Sequence, residues 1–271
     1  MSYLLKHSVT AVADPVEVWI KFEEKYADWS AGRPPASYPY ESDADWEPRL
    51  HRHFGLDWPC PSTAEFGALF PQVMQELEGA GIRPGPGSFR TWNDGDAGLT
   101  RAIWCLVRHL KPQRVVETGV AHGVTSRVIL DALERNEQGH LWSIDLPPLE
   151  RDWRKQVGVA VGSGHKDRWS YIKGSSRRRL PGLFSQLGQI DLFIHDSLHS
   201  ERNVLFELER AWAAVRPGGA IVVDDVDVNG AFRVFTGTMP RDQFLVCDAE
   251  PVMPDLRRFN KRGLFGIIFK D

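Results

Sequence analysis

The sequence predicts an α/β fold: a doubly wound, mostly parallel sheet with a C-terminal antiparallel hairpin and an N-terminal helical extension. Three observations carry that expectation. From about Leu99 onward, short apolar runs alternate with stretches of helical period, the pattern of βαβ units with helices on both faces of the sheet. The run Arg114 to Glu117 breaks into Gly119 and Gly123 where a strand gives way to a helix. The last two apolar runs, QFLVCDAEPV and LFGIIFKD, have no helical pattern between them, which fits two antiparallel strands.

Taken in order, residues 1–98 form an extension or lid rich in Trp, Pro, His and acid. Within it PVEVWIKFEEKYADW has a helical stripe at Val16, Val18, Trp19, Phe22 and Tyr26, and STAEFGALFPQVMQELEGAG is a second helix stopped by glycine. Residues 99–271 form the second unit. Its strands are RVVETGV, HLWSIDLP, RWSYIKGS, IDLFIHDS and AIVVDDVD, separated by helices such as TSRVILDALERN and RNVLFELERAWAAV.

Composition limits what such a chain can do. Its 271 residues are 42% hydrophobic and 25% charged, with net charge -3 and pI near 6.3, so no basic footprint for nucleic acid exists. No uncharged apolar span approaches the roughly 20 residues that cross a bilayer, and the N-terminal residues have no secretory pattern. Cys60, Cys105 and Cys247 form no CxxC pair and read as reduced thiols, which fits the cytoplasm.

Open α/β sheets bind ligands beyond the carboxyl ends of their strands. Gly119 and Gly123 sit at such an end, bringing bare backbone and a helix N-terminus to the crevice. The spacing is ExGxxxG and lacks the GxGxxG of a pyrophosphate binder, which disfavours nicotinamide and flavin cofactors. Asp145 ends the next strand, about where a carboxylate takes ribose hydroxyls in dinucleotide sites. The plainer alternative is that the glycines permit tight helix packing and that Asp145 is a solvated strand-end acid.

The span from about Leu99 to Asp271 resembles the class I S-adenosylmethionine-dependent methyltransferases, with their Rossmann-like sheet. VVETGVAHGVTS is similar to that family's first motif, IDLP to its ribose-binding acid, YIKGSS to the segment near the adenine, and RPGGAIVVDD to the turn and fifth strand. The resemblance implies S-adenosylmethionine as cofactor. It places Glu117, Gly119, Gly123 and Ser126 at the methionine end, Asp145 on the ribose, Ser175 near the adenine, and Asp196 beside them.

Asp196 in FIHDSLHS and Asp224 with Asp225 in IVVDDVD end the fourth and fifth strands, neighbours in the expected sheet. Clustered carboxylates repel unless a cation intervenes, and Mg²⁺ takes oxygen ligands while leaving a position for a substrate oxygen. As helix caps the same acids need no metal. The arrangement resembles metal-dependent O-methyltransferases, of the catechol type and of the macrolide-sugar and aminocoumarin-sugar type. That resemblance implies Mg²⁺ on Asp196, Asp224 and Asp225, with His199 and Asp196 catalytic and His199 as the base.

His195 reads as structural and on the opposite face from Asp196. Ser175 to Arg179 could offer a cationic rim for an acidic acceptor but read as a solvated charge run, and His51 to His53 could pass for a metal cluster but, with adjacent residues pointing apart and no partner spacing, read as surface. Trp46, Trp58 and Trp92 offer a wall over an acceptor or plain core packing. The expected activity is methylation of a hydroxyl on a small polyhydroxylated or glycosylated acceptor, in natural-product modification, with the N-terminal helices available for a homo-oligomer interface. The alternatives are a hydroxylase like the resembling sequences of cephalosporin biosynthesis, and a binding protein that keeps the fold without catalysis.

Overall fold

The computed structural model describes residues 15–16, 19–20, 40–83, 96–147, 151–250 and 263–271. Of the helix expected over residues 15–29, positions 15–16 and 19–20 are helical, and the rest of it, like Trp92, lies outside the described residues. The described helices are α1 (Trp46–His53), α2 (Pro61–Gly79), α3 (Ala97–Leu110), α4 (Val124–Arg135), α5 (Ser176–Leu187), α6 (Glu201–Ala214) and α7 (Ala231–Thr236), with a few single turns between them. The strands are β1 (Arg114–Thr118), β2 (His140–Asp145), β3 (Trp169–Lys173), β4 (Ile190–His195), β5 (Val215–Val223), β6 (Phe244–Asp248) and β7 (Leu264–Lys270).

They form one seven-stranded sheet in the order β3-β2-β1-β4-β5-β7-β6. All neighbours are parallel except β7, which runs antiparallel to both β5 and β6. The chain builds outward from β1 to β3, then returns to β4 on the other side of β1, so strand order reverses between β1 and β4. That is where a crevice opens in such sheets.

Burial on both faces explains why the central strands are almost continuously apolar. Along β5, Ala220 and Val222 join one core while Ile221 and Val223 join the other. The first core is covered by α2, α3 and α4 and also takes Trp46 and Leu50 of α1. The second is covered by α5, α6 and α7. The described part of the extension is therefore packed onto the sheet domain through shared apolar contacts. Arg101 of α3 reinforces this by pairing with Glu47 of α1 at 2.7 Å and with Glu250 at 2.6 Å.

The reading of His51 to His53 as surface holds for Arg52 and His53, which are exposed, and fails for His51. The inward side of α1 carries Trp46, Leu50 and His51, and His51 is fully buried. His53 stacks its ring on Phe269 with centroids 3.8 Å apart. Trp46 packs edge-on against Phe265, as core packing requires. Cys60, Cys105 and Cys247 are free and buried. Among the described residues no helix is long and apolar enough to cross a membrane.

Candidate active site

Backbone hydrogen bonds run past the strand ends and hold the candidate residues in one row. Gly174 N donates to Asp145 O at 2.8 Å, Gly119 N to Ile144 O at 2.8 Å, Asp196 N to Thr118 O at 2.9 Å and Asp224 N to His195 O at 2.9 Å. Asp145, Gly119, Asp196 and Asp224 thus line the carboxyl edge of β2, β1, β4 and β5, across the reversal point.

Gly119 is dictated by this row. Its φ is +88°, and a Cβ there would stand 1.8 Å from the Asp196 carbonyl oxygen. Gly123, at φ +85°, begins α4, and its Cβ would meet Gly158 Cα at 2.9 Å. Gly158 N donates to Ala121 O at 2.9 Å, so the segment after residue 151 closes over the glycine turn. The turn is compressed between β4 and this segment, and only residues without a side chain fit both contacts.

Glu117 is fully buried beneath the turn. Its Oε2 accepts the hydroxyls of Ser126 at 2.6 Å and Ser143 at 2.7 Å, and Trp169 Nε1 donates to Ser143 Oγ at 2.9 Å. Ser126 is itself fully buried, so the structure brings it to Glu117 as a support. Asp145 is half-buried and ties two sides of the crevice together. Its Oδ1 accepts Val120 N at 3.2 Å, and its Oδ2 accepts the Tyr171 hydroxyl at 3.3 Å. Burial and the nearby Asp145 carboxylate keep the Tyr171 phenol protonated well above its usual range. Ser175 is buried at the N-cap of α5, next to Gly174.

At the other end of the row Asp196, His199 and Asp224 come together, with one donor atom from each lying within 4.8 Å of the others. Asp225 approaches from a left-handed backbone conformation, φ +54°. His199 Nε2 lies 3.8 Å from Asp196 Oδ1 and 3.6 Å from Asp225 Oδ2. The structure therefore groups Asp196 and Asp224 with the imidazole and sets Asp225 against that same imidazole. Asn229 Nδ2 donates to the His199 carbonyl at 3.0 Å, fixing the loop that carries it.

Beneath this group lies a pair that sequence reasoning missed. Glu207 of α6 is fully buried and accepts four hydrogen bonds: Thr118 Oγ1 at 2.5 Å, His195 Nδ1 at 2.7 Å, Ser197 Oγ at 2.7 Å and Asn203 Nδ2 at 3.0 Å. Burial alone would raise its pKa, but His195 and the surrounding hydroxyls outweigh it and hold the pKa at about 2. Ionised Glu207 can only accept, so His195 Nδ1 carries the proton. The His195 ring meets the His199 ring edge-on, with centroids 5.3 Å apart. His195, expected to face away from the site, is its floor. The available signal was Asn203 and Glu207, two polar residues four apart on the side of α6 that also carries Val204 and Leu208.

Residues 116–226, which span this whole row, match the family described as a methyltransferase domain. That match takes in less than half of the chain and makes this region similar to methyltransferase domains. Among solved structures the fold is similar to that of the O-methyltransferase TomG from Streptomyces achromogenes, involved in tomaymycin synthesis and crystallised with its cofactor. Identity there is 16%, the TM-score is 0.52, and the match covers 74% of this chain and 89% of that one. A candidate O-methyltransferase from Klebsiella pneumoniae gives 17% identity and a TM-score of 0.50, over 80% of this chain and 93% of that one. At such identities the likeness is one of fold. No curated protein matches the chain. In the matched region the glycine turn lies at the reversal point of the sheet, and the acid and histidine group adjoins it through the contact between Gly119 and Asp196.

Proposed function

We propose that the chain is an O-methyltransferase acting on a hydroxyl of a small polyhydroxylated or glycosylated acceptor, with Mg²⁺ beside its cofactor. One observation carries this reading: a half-exposed group of Asp196, His199 and Asp224, faced by Asp225, adjoins the glycine turn. When bound, S-adenosylmethionine supplies an electrophilic methyl on a sulfonium. The buried Glu117 and the N-terminus of α4 suit its charged methionine end, and the Asp145 carboxylate suits paired ribose hydroxyls.

The donor set fits a hard divalent ion, since Asp196 and Asp224 offer carboxylate oxygens close together and otherwise repel. Bound there, such an ion lowers the cost of deprotonating an acceptor hydroxyl. His199 would take that hydroxyl proton, leaving the acceptor oxygen to receive the methyl that the cofactor would supply. Asp196 and Asp225 flank the imidazole, an arrangement that stabilises its protonated form. His195, fixed by Glu207, limits how far the His199 ring can turn.

The test is mass spectrometry of reactions with candidate hydroxylated acceptors, run with and without a chelator. A gain of one methylene that requires divalent metal supports the proposal. A gain of oxygen favours a hydroxylase, and full methylation in excess chelator returns the three aspartates to structural roles.

A further inference from the structure

A second cluster of donors lies about α1, the start of α2 and the end of α3, apart from the strand-end row. His51, Cys60 and His109 each bring one ligand atom to within 4.8 Å of the others. Cys60 Sγ lies 3.2 Å from His109 Nε2, and the Ser62 hydroxyl stands 2.9 Å from the sulfur and 3.3 Å from the same nitrogen. The His51 and His109 rings meet edge-on, centroids 5.1 Å apart.

Hydrogen bonding accounts for Cys60, Ser62 and His109 without a metal, but it leaves His51 unexplained. This side chain is fully buried, its Nδ1 is held by the Glu47 carbonyl at 2.7 Å, and among the described residues its Nε2 meets no hydrogen-bond partner. A buried polar nitrogen without a partner is rare. One ring nitrogen anchored on a backbone carbonyl while the other is held as a lone pair is the arrangement of a metal-bound histidine.

We propose that His51, Cys60 and His109 bind one zinc ion, which staples the N-terminal extension to α3. Two imidazole nitrogens and a thiolate are the donors a borderline-soft ion prefers, whereas a hard cation takes oxygens. Zinc bonds of 2.0–2.3 Å set two donors on a tetrahedron about 3.3–3.6 Å apart, close to the 3.2 Å between Cys60 and His109. The fourth position falls to water or the Ser62 hydroxyl. Binding releases the Cys60 thiol proton to solvent.

The full chain, stripped of metal, is titrated with Zn²⁺ against a chromophoric chelator, then with Co²⁺ under near-ultraviolet absorption. One tight equivalent of zinc and a thiolate-to-cobalt charge-transfer band are expected. The carboxylate groups at Asp196 and at Asp131 contain no sulfur and cannot give that band. Cys60→Ala should abolish the band, and His51→Gln should keep a sulfur ligand while weakening zinc by at least about 100-fold. Circular dichroism checks that each variant is folded, and His109→Gln replaces any that is not. No band in the parent protein, or an unchanged band and affinity in Cys60→Ala, overturns the proposal. Neither result bears on methyl transfer.

Discussion

At the scale of single residues, Asp145 separates cofactor recognition from loop support. Its Oδ1 accepts Val120 N, and an amide oxygen in Asp145→Asn can keep that bond. The amide nitrogen, however, cannot accept a ribose hydroxyl. Asp145→Asn should therefore fold normally and bind S-adenosylhomocysteine more weakly by about 1–3 kcal/mol, roughly 5- to 150-fold, as calorimetry would read. Equal affinity would remove Asp145 from the ribose. His199→Ala should leave cofactor affinity alone and lower kcat by about 10²–10⁴-fold, least at high pH where hydroxide substitutes for the base. An inert His199→Ala, with a metal requirement intact, would make one of the carboxylates the base.

Elements decide which of these residues meet, and here legibility divides by distance along the chain. The strands were readable because each is an apolar run buried on two faces, and the antiparallel end was readable because no helical pattern separates its runs. Gly119 was readable as a turn residue, but its cause was not: the Asp196 carbonyl that occupies its Cβ position lies 77 residues on (196 − 119) and leaves no local trace. Gly119→Ala should accordingly cost more than a glycine's usual conformational penalty and abolish cofactor binding in a protein that still has its secondary structure. Gly188, with nothing within 4 Å of its Cβ position, is the control for φ alone. His195 and Glu207 were hidden for the same reason, since their contact crosses from β4 to α6.

That pair also predicts an acid response. The Glu207 pKa falls from 4.5 to about 2 in the folded protein. The unfolded chain thus binds the extra proton between those values, and stability is lost as pH falls from about 4.5 toward 2. Above pH 4.5 the full contribution is present, on the order of 3 kcal/mol. Denaturant melts of Glu207→Gln should show a shallower loss over that window and lower stability at pH 7, where its buried partners lose a charge. A pH dependence identical to that of the parent protein would show that Glu207 is not ionised in the native state.

At the scale of the molecule, the sheet, the glycine turn and the described part of the extension form one packed body, because α1 and α2 share their core with α3, α4 and the sheet. Ligand binding at the strand ends should then be felt in global unfolding. A ligand that binds only the native state stabilises it by about 2.7 kcal/mol at 100 times its Kd. For a chain of this size that corresponds to a rise in Tm of about 5–10 °C. S-adenosylhomocysteine should give such a rise in a single transition, and Mg²⁺ should add to it only while Asp196 and Asp224 are intact. Asp224→Asn should keep the cofactor's rise and lose the increment from Mg²⁺, because the turn contacts Asp196 through its backbone and not through the carboxylates. If the cofactor raised only one of two separate transitions, the extension and the sheet would unfold as independent units despite their shared core. If Asp224→Asn abolished both effects, the acid group would be part of the cofactor site rather than its neighbour.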